Sequence, residues 1–165
     1  MQQLQHGRPR WAPMTNGLTR SFGDVCFQVV YVIDGNVTPV GTADINDTSA
    51  IIRVEHRNVS FLFTGDLSQS VAQRVMSSPL RDRLHVTVLK APHHGAEGMA
   101  ADSFFDVVNP GVLVVPAPEW LWNSERCQRI RKWATAHSVG IYVNGVNGNI
   151  VVSSDGQRIA VETDK

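Results

Sequence analysis

Two adjacent imidazoles, His93 and His94, follow Leu89-Lys90-Ala91-Pro92 and precede Gly95, and a carboxylate, Asp66, closes the string Phe63-Thr64-Gly65. A third polar string, Asn46-Asp47-Thr48-Ser49, stands just ahead of an apolar run. Aspartate oxygen and neutral imidazole nitrogen are donors that zinc, manganese or iron accepts. An ion held by them brings the pKa of a bound water toward neutrality and makes it a nucleophile. Each string also has an ordinary explanation. Gly-Asp at the end of a strand is turn or helix-cap chemistry, and Asn-Asp-Thr-Ser is a common loop. Paired imidazoles directly after a strand and a proline seldom serve packing, however, and the three strings together point to a site. His6, His56, His85 and His137 show no partner pattern and are expected to be structural or solvent-exposed.

Those residues need strands to place them. Val25, Phe27, Val29, Tyr31 and Ile33 alternate with smaller or polar residues, which predicts a half-buried strand. Asp34-Gly35-Asn36 supplies a turn, and Thr38 to Asp47 reads as a loop. Ile51–Glu55 and Val59–Phe63 read as a hairpin about His56-Arg57-Asn58. After Asp66 the period turns helical: Leu67, Val71, Val75 and Met76 recur on one face, with Ser68 or Ser70 as cap and Pro79 as the stop. Val86–Leu89 and Val112–Val115 are short apolar runs of the kind buried on both faces. Between them Asp102–Val108 is helical. Glu125–His137 is the clearest helix, with Cys127, Ile130, Trp133 and Ala134 on its apolar face and Gly140 in the place of a terminator. Ile141–Val143, Asn149–Val152 and Arg158–Val161 finish the chain as strands. Alternation of strand and helix in the middle predicts an α/β fold with a mixed sheet.

Composition limits what this site can serve. The chain has 165 residues with 15 Lys+Arg against 15 Asp+Glu, enough length for one core and no bulk basic field for nucleic acid. Hydrophobic residues at 42% exclude intrinsic disorder. No apolar run approaches the roughly 20 residues of a membrane helix, so no membrane partner is expected. Cys26 and Cys127 form no close pair and read as free thiols of a cytoplasmic protein. Trp120 and Trp122, near Pro118, would either flank a pocket mouth or cover an apolar edge.

Taken in order, Asn46-Asp47-Thr48-Ser49, Leu62-Phe63-Thr64-Gly65-Asp66 and Lys90-Ala91-Pro92-His93-His94-Gly95 resemble the metallo-β-lactamase superfamily. Within it the string is similar to the hydrolase domain of ComEC-type competence proteins, which writes Asn-x-x-Ser, Leu-x-Thr-Gly-Asp and Lys-x-x-His-His-Gly. The closing Gly-x-Ile-x-Val-x-x-Asp-Gly of that branch is echoed by Gly148 to Val152 and Asp155-Gly156, so the resemblance covers roughly residues 22–155. It implies an αββα sandwich with a one- or two-metal site at strand ends and water attack on an ester, amide or phosphodiester. Asp66 then matches the metal-binding carboxylate. His93 matches a ligand, and His94 an outer or substrate contact that shares in catalysis with Asp66. Asn46 and Ser49 would shape the substrate pocket, with Thr64 beneath Asp66.

The family's His-x-His-x-Asp-His string is absent from this chain, and where the branch writes Asn-x-x-x-His-Pro the chain has Asn123-Ser124-Glu125-Arg126. The expected layout is therefore an arm over residues 1–21 and, over residues 22–165, about the C-terminal half of the sandwich, with helices on one side of a mixed sheet. Zinc or manganese is the expected cofactor, bound weakly or not at all by the chain alone. Two functions follow: a phosphodiesterase or nuclease completed by a complementary chain, with nucleic acid as substrate, or a non-catalytic assembly module that forms a homodimer through its exposed sheet face.

Overall fold

The computed structural model describes residues 13–33 and 45–165. The turn expected at Asp34-Gly35-Asn36, most of the loop after it, and the first part of the expected arm with His6 lie outside the described residues. The alternating run forms strand β2 (Val25–Tyr31), paired antiparallel with a short strand β1 (Thr19–Phe22). The sheet thus starts within the expected arm: Thr19 faces Gln28 and Ser21 faces Cys26. Four residues without an apolar face give no strand periodicity, which is why β1 is silent in the sequence. The expected hairpin forms as β3 (Ile51–His56) and β4 (Val59–Phe63), and Arg57 in its turn adopts a positive φ of 53°.

From β4 onward the strands run parallel, as β5 (Val88–Lys90), β6 (Val112–Val115) and β7 (Gly140–Val143), giving a mixed seven-stranded sheet in sequential order among the described residues. Strand β5 begins two residues later than its apolar run suggests, because the Val86 and Thr87 amides are engaged by Val108 and Ser60 carbonyls outside the ladder. Parallel strands require crossovers, and helices supply them. Helix α1 (Gln69–Met76) follows β4, α2 (Asp102–Val108) follows β5, and α3 (Glu119–Trp122) and α4 (Gln128–Ala136) follow β6. Ser68 is the cap of α1, accepting from the Val71 amide at 3.3 Å. The helix expected from Glu125 begins as a 3-10 turn, Glu125–Cys127, before α4.

The terminator of α4 is not Gly140. Ser138 takes the left-handed conformation (φ 56°), and the amides of Ser138 and Val139 return to the carbonyls of Thr135 and Ala134 at 3.2 and 3.0 Å. That pair of hydrogen bonds is the usual glycine-based stop, carried here by serine, and it frees Gly140 to start β7. A single helical turn, α5 (Asn144–Asn147), follows β7 and was not visible as a periodic pattern. Gly145 allows its close approach to α3, since a Cβ there would stand 2.0 Å from the Glu119 nitrogen.

The two faces of the sheet are covered differently. On one face Leu62, Leu89 and Leu113 stand in register and are fully buried beneath Val71 and Val75 of α1, Phe104 and Phe105 of α2, and Ile130 and Trp133 of α4. Helices α1, α2 and α4 therefore cover this face. On the other face Phe27, Val54, Phe61, Val88 and Val112 form a continuous cross-strand row. A separate hairpin, β8 (Ile150–Ser154) with β9 (Ile159–Thr163), meets part of it, with Ile150 and Val152 across a 250 Å³ groove from Phe61, Phe63, Val88 and Val114. The hairpin tip is tied to the β3–β4 turn, where the Asn58 amide donates to the Gly156 carbonyl at 2.9 Å. Phe27 and Phe63 remain 41% and 47% exposed. Among the described residues no helix is long and apolar enough to cross a membrane.

Candidate functional site

Asp66, His93 and His94 sit just beyond the C-terminal ends of β4 and β5, the edge at which open sheets with parallel strands present ligands. Thr64 is fully buried, and its hydroxyl donates to the Lys90 carbonyl at 3.1 Å, so it ties the end of β4 to the end of β5. Gly65 then turns with φ 56°, and a Cβ on it would lie 2.8 Å from Ser49 Oγ. Only glycine meets both demands without strain. The turn aims the Asp66 amide at Ser49 Oγ, which accepts it at 3.0 Å. Asn46 belongs to the 3-10 turn Ile45–Thr48, and its carbonyl accepts the Ser49 amide at 3.1 Å. Asn46, Ser49, Thr64 and Asp66 are therefore parts of one corner.

After β5 the backbone enters an unusual run. His93 (φ 47°), His94 (φ 57°) and Gly95 (φ 76°) are consecutive left-handed residues. For a residue with a Cβ that conformation costs about 1–2 kcal/mol, and strain of this kind collects at functional positions. Bonds around the run offset it: the His93 amide donates to the Gly65 carbonyl at 3.3 Å, and the Ala96 amide to the His93 carbonyl at 2.9 Å. Gly95 lies against Val115, Ile130 and buried Trp122, so the tip is seated on the core. Trp120, by contrast, is 70% exposed on the same short helix, which separates the two tryptophans that the sequence left undecided.

The rings are fixed through their Nδ1 atoms. His94 Nδ1 lies 2.6 Å from the Pro116 carbonyl and His93 Nδ1 lies 3.0 Å from the Glu97 carbonyl. A carbonyl only accepts, so in both rings Nδ1 carries a proton, and Nε2 is the atom that would present a lone pair to a cation. This is the tautomer of a metal-ligating histidine with a backbone carbonyl behind it. His94 Nε2 faces Asp66 Oδ1 at 3.7 Å. A lone pair and a carboxylate oxygen facing one another at that distance repel unless a proton or a cation stands between them. The ring of His93 turns toward Glu97 instead, so the ring that meets Asp66 is that of His94.

Lys90 is the residue whose role sequence reasoning left unassigned, although it stands in the matched string. Its ammonium donates to the Gly65 carbonyl at 2.6 Å and lies 3.6 Å from Asp66 Oδ1. Burial holds its pKa below the ordinary 10.5, and the nearby Asp66 charge partly offsets that. The signal that could have found it is the spacing: a lysine at the last position of β5, pointing along the face next to Asp66.

Asp66 and His94 are chemically suited donors for a divalent ion, and their side chains, 38% and 45% exposed, leave room for further donors from solvent or a partner. Among the described residues no cluster of three or more His, Cys, Asp or Glu side chains joins them. The pair is a partial donor set.

No family model matches the chain. It is similar to ComE operon protein 3 of Bacillus subtilis (strain 168), with 26% identity over 108 residues, covering 66% of this chain. The matched stretch spans 14% of that relative's length. Cys26 and Cys127 are both free thiols, and the fold is α/β with a mixed sheet, as expected.

Proposed function

We propose that the chain is about half of a metallo-β-lactamase-like hydrolase, related to the ComEC-type branch, in which Asp66 and His94, in place of the expected His93, hold a divalent cation. The observation that carries this reading is the facing of His94 Nε2 and Asp66 Oδ1 at 3.7 Å, with Nδ1 of the ring already committed to the Pro116 carbonyl. Zinc or manganese bound there would act as Lewis acid and lower the pKa of a coordinated water. The chain's own residues orient and neutralise. Ser49 and Gly65 fix the direction of Asp66, Pro116 fixes the tautomer of His94, and Lys90 places a positive charge at the same edge, suited to an anionic phosphodiester such as nucleic acid. Since the donor set is partial, a complementary chain carrying His-x-His-x-Asp-His would supply the remaining ligands and cover the exposed face.

The test is reconstitution. Mixing or co-expressing this chain with a polypeptide bearing that motif should produce metal-dependent hydrolysis of bis(p-nitrophenyl) phosphate that is lost in Asp66→Asn. A complex that forms and binds metal but has no such activity would count against the hydrolase reading.

One observation favours the second reading, an assembly module that pairs two copies of this chain. Phe27 and Phe63 leave a continuous apolar row partly uncovered, and an apolar patch of that kind seeks a partner. Sedimentation of the isolated chain distinguishes the readings: a dimer that a complementary chain cannot displace supports the module.

A further inference from the structure

Asp47 lies inside the Asn46-to-Ser49 string at a position that the family pattern leaves open. We infer that Asp47 is a positioning residue that fixes the direction of Asp66, an inference that rests on reading Asp66 as the working carboxylate. Asp47 Oδ1 accepts from the hydroxyls of both Ser68 and Ser70, the latter at 3.0 Å, at the beginning of α1. Two residues further along its own turn, Ser49 Oγ accepts the Asp66 amide at 3.0 Å. The segments 47–49 and 66–68 are therefore joined by two rungs, Asp47 to Ser68 and Ser49 to Asp66.

The Gly65 side of the turn is held by its carbonyl, which accepts from the His93 amide and the Lys90 ammonium. The Asp66 amide is held through Ser49, and the Asp47 rung, on a charged acceptor and so among the stronger kind, anchors the segment that carries Ser49 to a helix seated on the core through Val71 and Val75. The competing explanation is that Asp47 serves α1 alone, as an anion at a helix N-terminus. Yet Ser68 already caps α1 by accepting the Val71 amide at 3.3 Å. The helix has its cap without Asp47, whereas Asp47 ties the 45–49 turn, and with it Ser49, to the start of α1.

The experiment compares Asp47→Ala with Asp47→Asn in the full chain, reading amide hydrogen exchange at Asp66 and at Val71 by NMR, and Mn2+ affinity by titration. Asn keeps an oxygen that can accept from both hydroxyls, so it should restore the wild-type pattern. In Asp47→Ala the Asp66 amide should exchange about tenfold faster or more, the loss expected for a hydrogen bond to a charged group, while Val71 changes by no more than about twofold to threefold. Mn2+ affinity should fall in Asp47→Ala and return in Asp47→Asn. Should Asp47→Ala fail to fold, Ser70→Ala, which removes one hydroxyl from Asp47, should show the same selective effect on Asp66 at smaller size. Unchanged exchange at Asp66, or equal loosening of Asp66 and Val71, overturns the inference. A wild-type chain that binds no Mn2+ counts against the site reading, and the exchange pattern still decides the role of Asp47.

Discussion

The two faces of the central sheet differ in how far each is finished. The helix-covered face buries Leu62, Leu89 and Leu113 completely, with two phenylalanines and Trp133 packed over them. The opposite face carries a comparable apolar row but meets only the β8–β9 hairpin, and Phe27 and Phe63 stay near half exposed. The candidate site sits at the strand ends between them. Its backbone supports (Thr64, the Gly95 seat, the start of α1) belong to the finished face, while Lys90 lines the groove on the unfinished one. The chain thus seats the backbone supports of the candidate site on the finished face and leaves the face beside Lys90 partly open.

That contrast can be broken by mutation. Leu113→Ala on the finished face should cost about 2–5 kcal/mol, as truncations in a closed core do, measured by urea unfolding. Gly65→Ala should cost about 1–2 kcal/mol for the left-handed backbone, and more where the new methyl meets Ser49 Oγ. It should also disturb Asp66 more than any residue of the core, which chemical-shift mapping would reveal. His94→Gly should be about 1 kcal/mol more stable than His94→Ala, because glycine relieves the left-handed strain and both variants lack the ring. Equal stabilities would mean the strain at this tip is not real. Phe27→Ser and Phe63→Ser on the open face should each change stability by less than about 0.5 kcal/mol, and the assembly-module reading further requires that they reduce self-association in sedimentation. A loss as large as that of Leu113→Ala would erase the distinction between the faces.

Lys90 sharpens the contrast through pH. Its pKa is lowered from 10.5, chiefly by burial, so between its folded value and 10.5 the unfolded chain binds the extra proton. Stability therefore rises with pH across that interval and falls as pH drops through the folded value. The urea midpoint of wild type should rise relative to that of Lys90→Met as the pH approaches 10.5, and a difference independent of pH would contradict the burial of the ammonium.

Much of this was legible from side chains with strong periodicity. The hairpin β3–β4, helix α2 and strand β6 were marked by alternation, by 3.6-residue spacing and by Pro or Gly boundaries. What escaped depends on long-range contact. Strand β1 has four exposed residues and forms because β2 offers an edge. Ser138 takes a glycine's place in the stop of α4, two residues before β7 begins, and a serine there carries no signal of that conformation. At the site, the residue types pointed to Asp66 and the histidines, but which imidazole meets the carboxylate is decided by the Pro116 and Glu97 carbonyls, and backbone oxygens leave no mark in a sequence.

The most direct test of the central claim is a titration of the chain with Zn2+ and Mn2+, followed by calorimetry and by the ring resonances of His93 and His94. The account predicts one weak, saturable ion per chain that shifts the His94 ring and is lost in Asp66→Asn and in His94→Ala. Absence of saturable binding, or binding unchanged by both substitutions, would contradict it.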